Sequence, residues 1–433
     1  MSWDFETDPG IQEELDWVEE FVRTEVEPVD QVIEHAWNTR DPVRNALIAP
    51  LQRQVRERGL WAAHLGPELG GKGFGQLRLA LLNEKLGRTH SGPVVFGCQA
   101  PDSGNAEILA HYGSDHLKKT YLEPLVDGEI VSCFSMTEPH GGSDPTAFRT
   151  TARLDGDTWV INGEKWFSSH ASFAEFLIVM AVTEPEAPPH KSMSMFVVPA
   201  DTPGVERVRD VSVWGHEEST GTHQYLRYTD VRVPAENLLG ARGGAFAVAQ
   251  TRLGGGRIHH AMRTVGLVRT AFEMMKRRAV SRTSKGERLA DKQLVQEMIA
   301  DSWIQLEQFR LLVLRTAWRI DRYNDYKKVR ADISAVKAAM PKVLADVAGR
   351  AIQIHGSLGI SKELPFGKWV LESFHMGLAD GATEVHKVNL AQALLRGTQP
   401  DEGLFPPYTL PNRRAEATLR YADLLAAEDG ETA

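Results

Sequence analysis

The sequence predicts a mainly α-helical protein with one central β domain. Three observations carry that prediction. Apolar residues recur at helical spacing up to about residue 130. From 131 to 242 the pattern changes to short runs rich in β-branched residues, bounded by turn residues. After 243 a long helical seam returns. The expected division is therefore a helical domain at 1–130, a β domain at 131–242, a helical bundle at 243–397 and a tail at 398–433.

In the first region Ile11, Leu15, Val18 and Phe21–Val22 define one helix face, and Leu79, Leu82 and Leu86 another. GPELGGKGFG (66–75) precedes the second run and reads as a tight surface turn. No Lys-Ser or Lys-Thr follows at the spacing a Walker loop needs. In the middle region LDGDTWVING (154–163) carries turn residues around a short β-prone run, a hairpin signal repeated at Asn162-Gly163. FLIVMAVT (176–183) and MFVVPA (195–200) read as buried strands, and YTDVRVP (228–234) as a strand ended by Pro234. In the last region Ile299, Trp303, Leu306, Val313, Ala317 and Ile320 form one seam, in which Trp303 and also Trp318 are expected in the core. Pro341 is expected to kink or break a helix over 332–355. From Gly397 the chain is rich in proline and polar residues, with a short helix at 413–427. Strands confined to the middle are not a βαβ alternation, and no Gly-x-Gly-x-x-Gly follows a strand. Both argue against a Rossmann domain.

The 433 residues are 42% hydrophobic and 25% charged, with a formal charge of −9. No long basic run marks a nucleic-acid binder. Two cysteines, Cys98 and Cys133, suit a reducing compartment. The acidic start MSWDFETDPG lacks the features of a leader, and no window is apolar enough for a membrane span. A soluble, cytoplasmic, bacterial enzyme is expected.

Two stretches carry chemistry. CFSMTEPHGGSD (133–144) places backbone N–H groups and hydroxyls in a loop free of bulky side chains, which can approach a nucleotide closely or simply form a turn. LADGATEVH (378–386) places Asp380 before a helical run, where it is either an N-cap or a base. His259–His260 invite a metal reading, but neighbours on a helix point about 100° apart and cannot chelate as an i, i+4 pair does. Packing is expected for both, and no metal. Cys133 reads as a small buried residue. The glycines Gly254, Gly255 and Gly256 disfavour a helix and suggest close approach of a ligand or a neighbouring helix.

TEPHGGSD (137–144) resembles the flavin-binding signature of the acyl-CoA dehydrogenase family. HYGSDHLKKTYLEPLVDGE (111–129), INGEKWFSSHAS (161–172), YTDVRVPAENLLG (228–240), RAVSRTSKGERLADKQLVQ (278–296) and QIHGSLGI (353–360) resemble further segments in family order. The likeness runs from about residue 10 to 397. It implies an N-terminal helical domain, a middle β-barrel-like domain and a C-terminal four-helix bundle. It also implies FAD, an acyl-CoA substrate, an electron-transferring flavoprotein as partner and a homodimer or homotetramer that shares its flavin sites.

By the same resemblance, Phe134, Met136, Thr137 and Ser143 would lie along the ring system and pyrophosphate, with Phe167, Ser168 and Ser169 closing the other side. Arg282, Gln293, Gln353, His355, Gly356 and Ser357 would reach the adenine half across a subunit boundary. Ala382 and Glu384 would lie near the flavin. Ser143, Arg257 and Gly381 would meet substrate. Asp380 would be the base for α,β-desaturation, its pKa raised by desolvation. Here Ala-Asp-Gly stands where family members commonly have Tyr-Glu-Gly-Thr. The other position where the family places a base is Gly256, and QTRLGGGRIHH (250–260) contains no acid. WFSS, GRIHH and LADG resemble a branch associated with longer acyl chains. An oxidase on the same fold, or a flavin- and acyl-CoA-binding protein without turnover, are the competing readings.

Overall fold

The computed structural model describes residues 5–69, 71–214 and 223–430. Gly70, within the expected turn at 66–75, lies outside the described residues. Residues 1–390 form one compact unit and 391–433 a second.

The first unit opens with helices that start on Asp-Pro pairs. In α1 (Pro9–Phe21) the Asp8 carboxylate accepts the Gly10 N–H at 2.9 Å, and in α2 (Pro42–Glu57) Asp41 accepts Val43 N–H at 2.8 Å. Each pair combines an N-cap with proline's pre-set φ at N1. Helix α3 (Gly75–Leu86) is capped from afar. The Asp321 carboxylate accepts the N–H groups of Gln76 (2.5 Å) and Leu77 (2.8 Å). Helix α4 (Asp102–Tyr112) leads towards the β domain.

Seven strands follow: β1 (Ser132–Ser135), β2 (Thr151–Asp155), β3 (Thr158–Ser169), β4 (Phe176–Val182), β5 (Met193–Pro199), β6 (Val205–Asp210) and β7 (His223–Pro234). They form one sheet in the order β1-β4-β2-β3-β7-β6, with β5 paired to β4. The hairpin expected at Asp155–Thr158 is present, with Gly156 at φ 65°. Asn162-Gly163 is not a turn. It is a bulge inside β3, with Gly163 at φ 146°, and the Asn162 amide pairs with Asp230 across to β7 at 3.0 Å. Strands β1 and β6 carried too short or too polar a pattern to be recognised.

The C-terminal helices are α5 (Ala245–Ser281), α6 (Gln293–Tyr323), α7 (Arg330–His355), α8 (Phe366–Leu378) and α9 (Thr383–Leu395). One apolar core joins the N-terminal helices to α5, α6 and α7. Contact between α3 and α5 is backbone-close: a Cβ at Gly266 would lie 2.0 Å from the Glu84 carbonyl. Helix α7 runs through Pro341 without interruption, contrary to the expected break; Gly377 of α8 packs against the ring there. Trp303 and Trp318 are not core residues: they are 47% and 40% exposed, on the outward side of α6. Their seam partners Leu306, Val313, Ala317 and Ile320 are buried as expected. In the second unit, α10 (Leu410–Arg420) and α11 (Ala422–Gly430) replace the single helix expected at 413–427.

The loop after β1 is fixed by a buried ion pair. Lys165 Nζ lies 2.9 Å from Glu138, with both side chains at most 1% exposed. Glu138 also accepts the N–H groups of Arg149 (2.6 Å) and Thr150 (2.9 Å). Removing one partner of such a pair strands a buried charge. Lys165→Met is expected to lower stability by about 3–5 kcal/mol, measured as the shift in denaturation midpoint. A loss under about 1 kcal/mol, the range of an exposed pair, would contradict it.

Candidate active site

Asp380 follows α8 in the left-handed backbone region, at φ 55°, a conformation Asp tolerates better than most residues. Gly381 follows at φ 108°, and a Cβ there would lie 2.9 Å from His386 Nε2, so glycine is required. Arg257 Nε donates to the Asp380 carbonyl at 2.8 Å, and His386 Nε2 lies 3.4 Å from the same oxygen. The segment is thus tied to α5 by its backbone, which leaves its carboxyl group unengaged. Asp380 is not an N-cap: its side chain accepts no bond from the first turn of α9.

The carboxylate lies against the glycine triplet. A Cβ at Gly256 would lie 3.1 Å from Asp380 Oδ2, and nothing but that carboxyl group comes within 4 Å of it. The Asp380 side chain is 16% exposed. Arg252 Nη1 stands 3.8 Å from Oδ1 and His260 Nε2 stands 3.6 Å from Oδ2. Burial alone would raise this pKa, as the sequence suggested. Against it act His260, Arg252, Arg257 and Lys337, and the carboxyl is held below its ordinary value. The expected upward shift is therefore reversed by cations that no linear pattern displayed. Burial lowers the His260 pKa and Asp380 opposes that shift, while Arg252 stands charged beside the carboxylate. Lys337 is buried under Met376, whose carbonyl it bonds, and its pKa falls to about 8.

Arg252 also reaches the β domain. Its guanidinium lies 4.0 Å over the Phe134 ring, and its Nε donates to Asn105 at 3.0 Å. Asn105 bonds Ser132 (2.9 Å), and Ser132 bonds the buried Asp102 (2.6 Å). Phe134, Met136 and Thr137 are half-buried beside the loop, whose Thr137 carbonyl accepts the Trp166 N–H at 2.8 Å. Phe167 is 38% exposed at φ 54°, an outlier for a bulky side chain and a mark of local strain. Ser169 Oγ pairs with His223 Nδ1 at 2.9 Å, and His223 stands edge-on to His375 of α8 with ring centroids 5.8 Å apart. Ser168 is fully buried, and its hydroxyl bonds Ser135 at 2.9 Å.

The structure thus gathers Phe134, Arg257, Gly381 and Asp380 around Arg252, and Phe167 with Ser169 around His223. Gly142 and Ser143 are exposed, with nothing within 4 Å of a Cβ at Gly142. Arg282, Gln293, Gln353, Gly356 and Ser357 are exposed in the C-terminal region. His355 is buried against Phe366 (4.8 Å) and bonds the Ala351 carbonyl, so its Nδ1 is committed. Ala382 is half-buried and Glu384 exposed. Arg252 and Glu107 escaped the sequence reading, and His260 was assigned to packing. For Arg252 and His260 the only linear signal was their place near the glycine triplet, and Glu107 had none.

An open loop, a strained aromatic and a hydroxyl on one face suit a flavin. Such a site belongs to the class of flavin-dependent oxidoreductases acting on a CH–CH bond, which the family matches establish. Family models of the acyl-CoA dehydrogenase N-terminal, middle and C-terminal domains match residues 11–129, 133–231 and 243–395. The chain belongs to the acyl-CoA dehydrogenase family, whose cofactor is FAD. It is 42% identical to the probable acyl-CoA dehydrogenase FadE2 of Mycobacterium tuberculosis over 81% of this chain and 86% of that one. It is 38% identical to acyl-CoA dehydrogenase family member 11 of Rattus norvegicus over 89% of this chain, spanning 50% of that longer protein. A putative acyl-CoA dehydrogenase from Mycobacterium abscessus superposes with a TM-score of 0.83 at 37% identity, covering 90% of this chain and 99% of that one. Among the described residues no helix is long and apolar enough to cross a membrane.

Arg252→Leu removes the cation nearest Oδ1. The Asp380 pKa is expected to rise, read by NMR titration of labelled carboxyl groups. The sign for stability follows. A depressed carboxyl pKa contributes stability that is full above the unfolded value and lost as pH falls through the folded one. The variant should therefore lose that contribution at higher pH than the parent. An unmoved Asp380 titration would contradict the pairing.

Proposed function

We propose that the protein desaturates an acyl-CoA between its α and β carbons, with Asp380 taking the α proton, and passes the electrons to an electron-transferring flavoprotein. One observation carries the assignment of Asp380. Its carboxylate is nearly buried and charge-compensated, yet among the described residues no donor is hydrogen-bonded to it. Its lone pairs are therefore available to a substrate C–H. The second carboxyl position used by the family is Gly256, which has no side chain and lies directly beside Asp380.

The chain's other groups fit the same step. The Asp380 N–H has no intramolecular acceptor among the described residues and is free to stabilise the oxygen of an enolised thioester. Arg257 holds the segment through the Asp380 carbonyl, fixing where the carboxylate points. Bound FAD supplies the hydride acceptor. Phe134, Met136, Thr137, Phe167 and Ser169 are the side chains of this chain that would hold its ring system, with Ser143 near the pyrophosphate. Arg282, Gln293 and the turn Gln353–Ser357 would serve the flavin of a second subunit, which the exposure of Arg282, Gln293, Gly356 and Ser357 favours.

Asp380→Asn is expected to keep FAD bound while desaturation falls by about 10²–10⁴-fold, the usual contribution of a positioned base. The measurement is anaerobic bleaching of the flavin by a panel of acyl-CoAs. Activity within a few-fold of the parent sinks the base assignment, and stoichiometric peroxide from the parent in air would make it an oxidase instead. Arg282→Ala is expected to lower flavin content and subunit association together. Unchanged values for both would place Arg282 outside the shared site.

A further inference from the structure

One face of α7 carries the turn that presents Asp380. Ser334, Lys337 and Pro341 stand at positions i, i+3 and i+7 of that helix and so form one stripe. Lys337 Nζ donates to the Met376 carbonyl in the last turn of α8. The Pro341 ring lies 3.6 Å from where a Cβ at Gly377 would stand. Ser334 Oγ lies 3.4 Å from His386 Nδ1, and the Nε2 of the same ring lies 3.4 Å from the Asp380 carbonyl. Three side chains of α7 therefore meet both ends of the segment from Met376 to His386.

Helix α8 ends at Leu378, and its last carbonyls need partners beyond the helix. Three of them find different ones. The Ala379 N–H bonds His375 (2.9 Å), Lys337 bonds Met376, and the Thr383 hydroxyl bonds Gly377 (3.1 Å). Lys337 is the charged donor among the three, and a cation there also meets the negative end of the helix dipole.

Packing alone does not call for a lysine at this position. Lys337 is 1% exposed, and among the described residues the Met376 carbonyl is its hydrogen-bond partner and no carboxylate lies within 4 Å of Nζ. Burying a charge with so little direct compensation is unfavourable, and an apolar side chain would fill the space at lower cost. The titratable groups that face it are Arg257 and His260 of α5, His375 of α8, Asp380, and His386 of α9. Asp380 is the one carboxyl group in that set.

We infer that Lys337 is a positioning residue for the proposed base: by closing the end of α8 it sets where the Asp380 carboxylate stands, and its charge faces that carboxylate. The inference rests on the desaturation reading above.

The test is Lys337→Met, assayed with an acyl-CoA that bleaches the parent flavin. A fall in kcat of about 10²-fold is expected, the scale of a base misplaced by about 1 Å, with KM little changed. Loss of a cation facing Asp380 raises its pKa, so the acid limb of kcat/KM should move to higher pH. Backbone hydrogen exchange over 376–386 should quicken while 344–354 in α7 keeps the parent's protection. A parent-like kcat and acid limb overturns the inference. Exchange quickened equally throughout α7 overturns it too, because Lys337 would then serve stability alone. If the methionine variant does not fold, Lys337→Gln, which keeps an N–H without the charge, should shift the acid limb in the same direction, and an unmoved limb overturns the inference. Parent flavin that no acyl-CoA bleaches, or an active Asp380→Asn enzyme, would sink the desaturation reading instead; the exchange pattern decides separately whether Lys337 holds the turn.

Discussion

A buried guanidinium organises this protein. Arg252 leaves the N-terminal part of α5, lies over the ring of Phe134, and stands within ion-pair range of Asp380. Burial opposes its charge, and Asp380 from the segment after α8, with Glu107 and Asp102 from α4, offset that cost. A buried cation of this kind is stable only if those elements converge on it. The strand that starts the flavin loop, the helix before it and the segment after α8 are therefore held in one arrangement by one side chain. The Asn105–Ser132–Asp102 relay extends the constraint to the start of β1. Cofactor face and proposed base are thereby set relative to each other by the protein itself.

Local conformation around this centre is costly. Phe167, His170 and Asp380 all have positive φ, and two of them belong to the proposed site. Positions of this sort cost of order 1–3 kcal/mol each for non-glycine residues and persist only where the surroundings over-determine them. His170 is stacked on Trp37 at 4.7 Å, and Asp380 is tied by Arg257 and His386. The glycine triplet adds a helix weakened by about 0.8–1 kcal/mol per glycine relative to alanine. In exchange the helix lets Asp380 and Glu107 come within 3.0–3.1 Å of where a Cβ at Gly256 and Gly255 would stand. The rigid α3–α5 contact at Gly266 and the buried Lys165–Glu138 pair supply the surrounding stiffness.

Much of this was legible in the sequence, for identifiable reasons. The hairpin at Asp155–Thr158 and the strands at 176–182 and 193–199 follow from turn chemistry and β-branched runs, which are local signals. The loop at 137–144 and the acid at 380 were visible as motifs. Encounters across the chain were not. Arg252 and Asp380 are 128 positions apart, and nothing in either neighbourhood announces the other. The same gap hid Glu107 and Tyr326, which meet only over Gly255. Trp303 and Trp318 fit the helical seam in pattern but lie on its outer side, because a seam wider than the buried stripe cannot be trimmed without its neighbours. Pro341 failed to break α7 because packing against α8 outweighs the lost N–H, an override that propensity cannot register.

The low pKa of Asp380 looks at first like a handicap, since a weaker base takes a carbon-bound proton less readily. The geometry resolves the conflict. A carboxylate can be stabilised by hydrogen bonds, which occupy its lone pairs, or by charges held farther off, which do not. Here Arg257 spends its Nε on the backbone carbonyl, and Arg252 and His260 stop at 3.8 and 3.6 Å from the oxygens. The group is therefore ionised and ready at neutral pH, with its lone pairs uncommitted. An acyl chain bound beside Asp380 would exclude water from the same spot and sharpen the desolvation that already opposes the charge. Burial then drives the carboxylate toward accepting a proton when a substrate is present to give one. A glutamate in this left-handed position would carry its oxygens one methylene farther, against the floor at Gly256. The shorter acid and the missing side chain opposite it are parts of one fit.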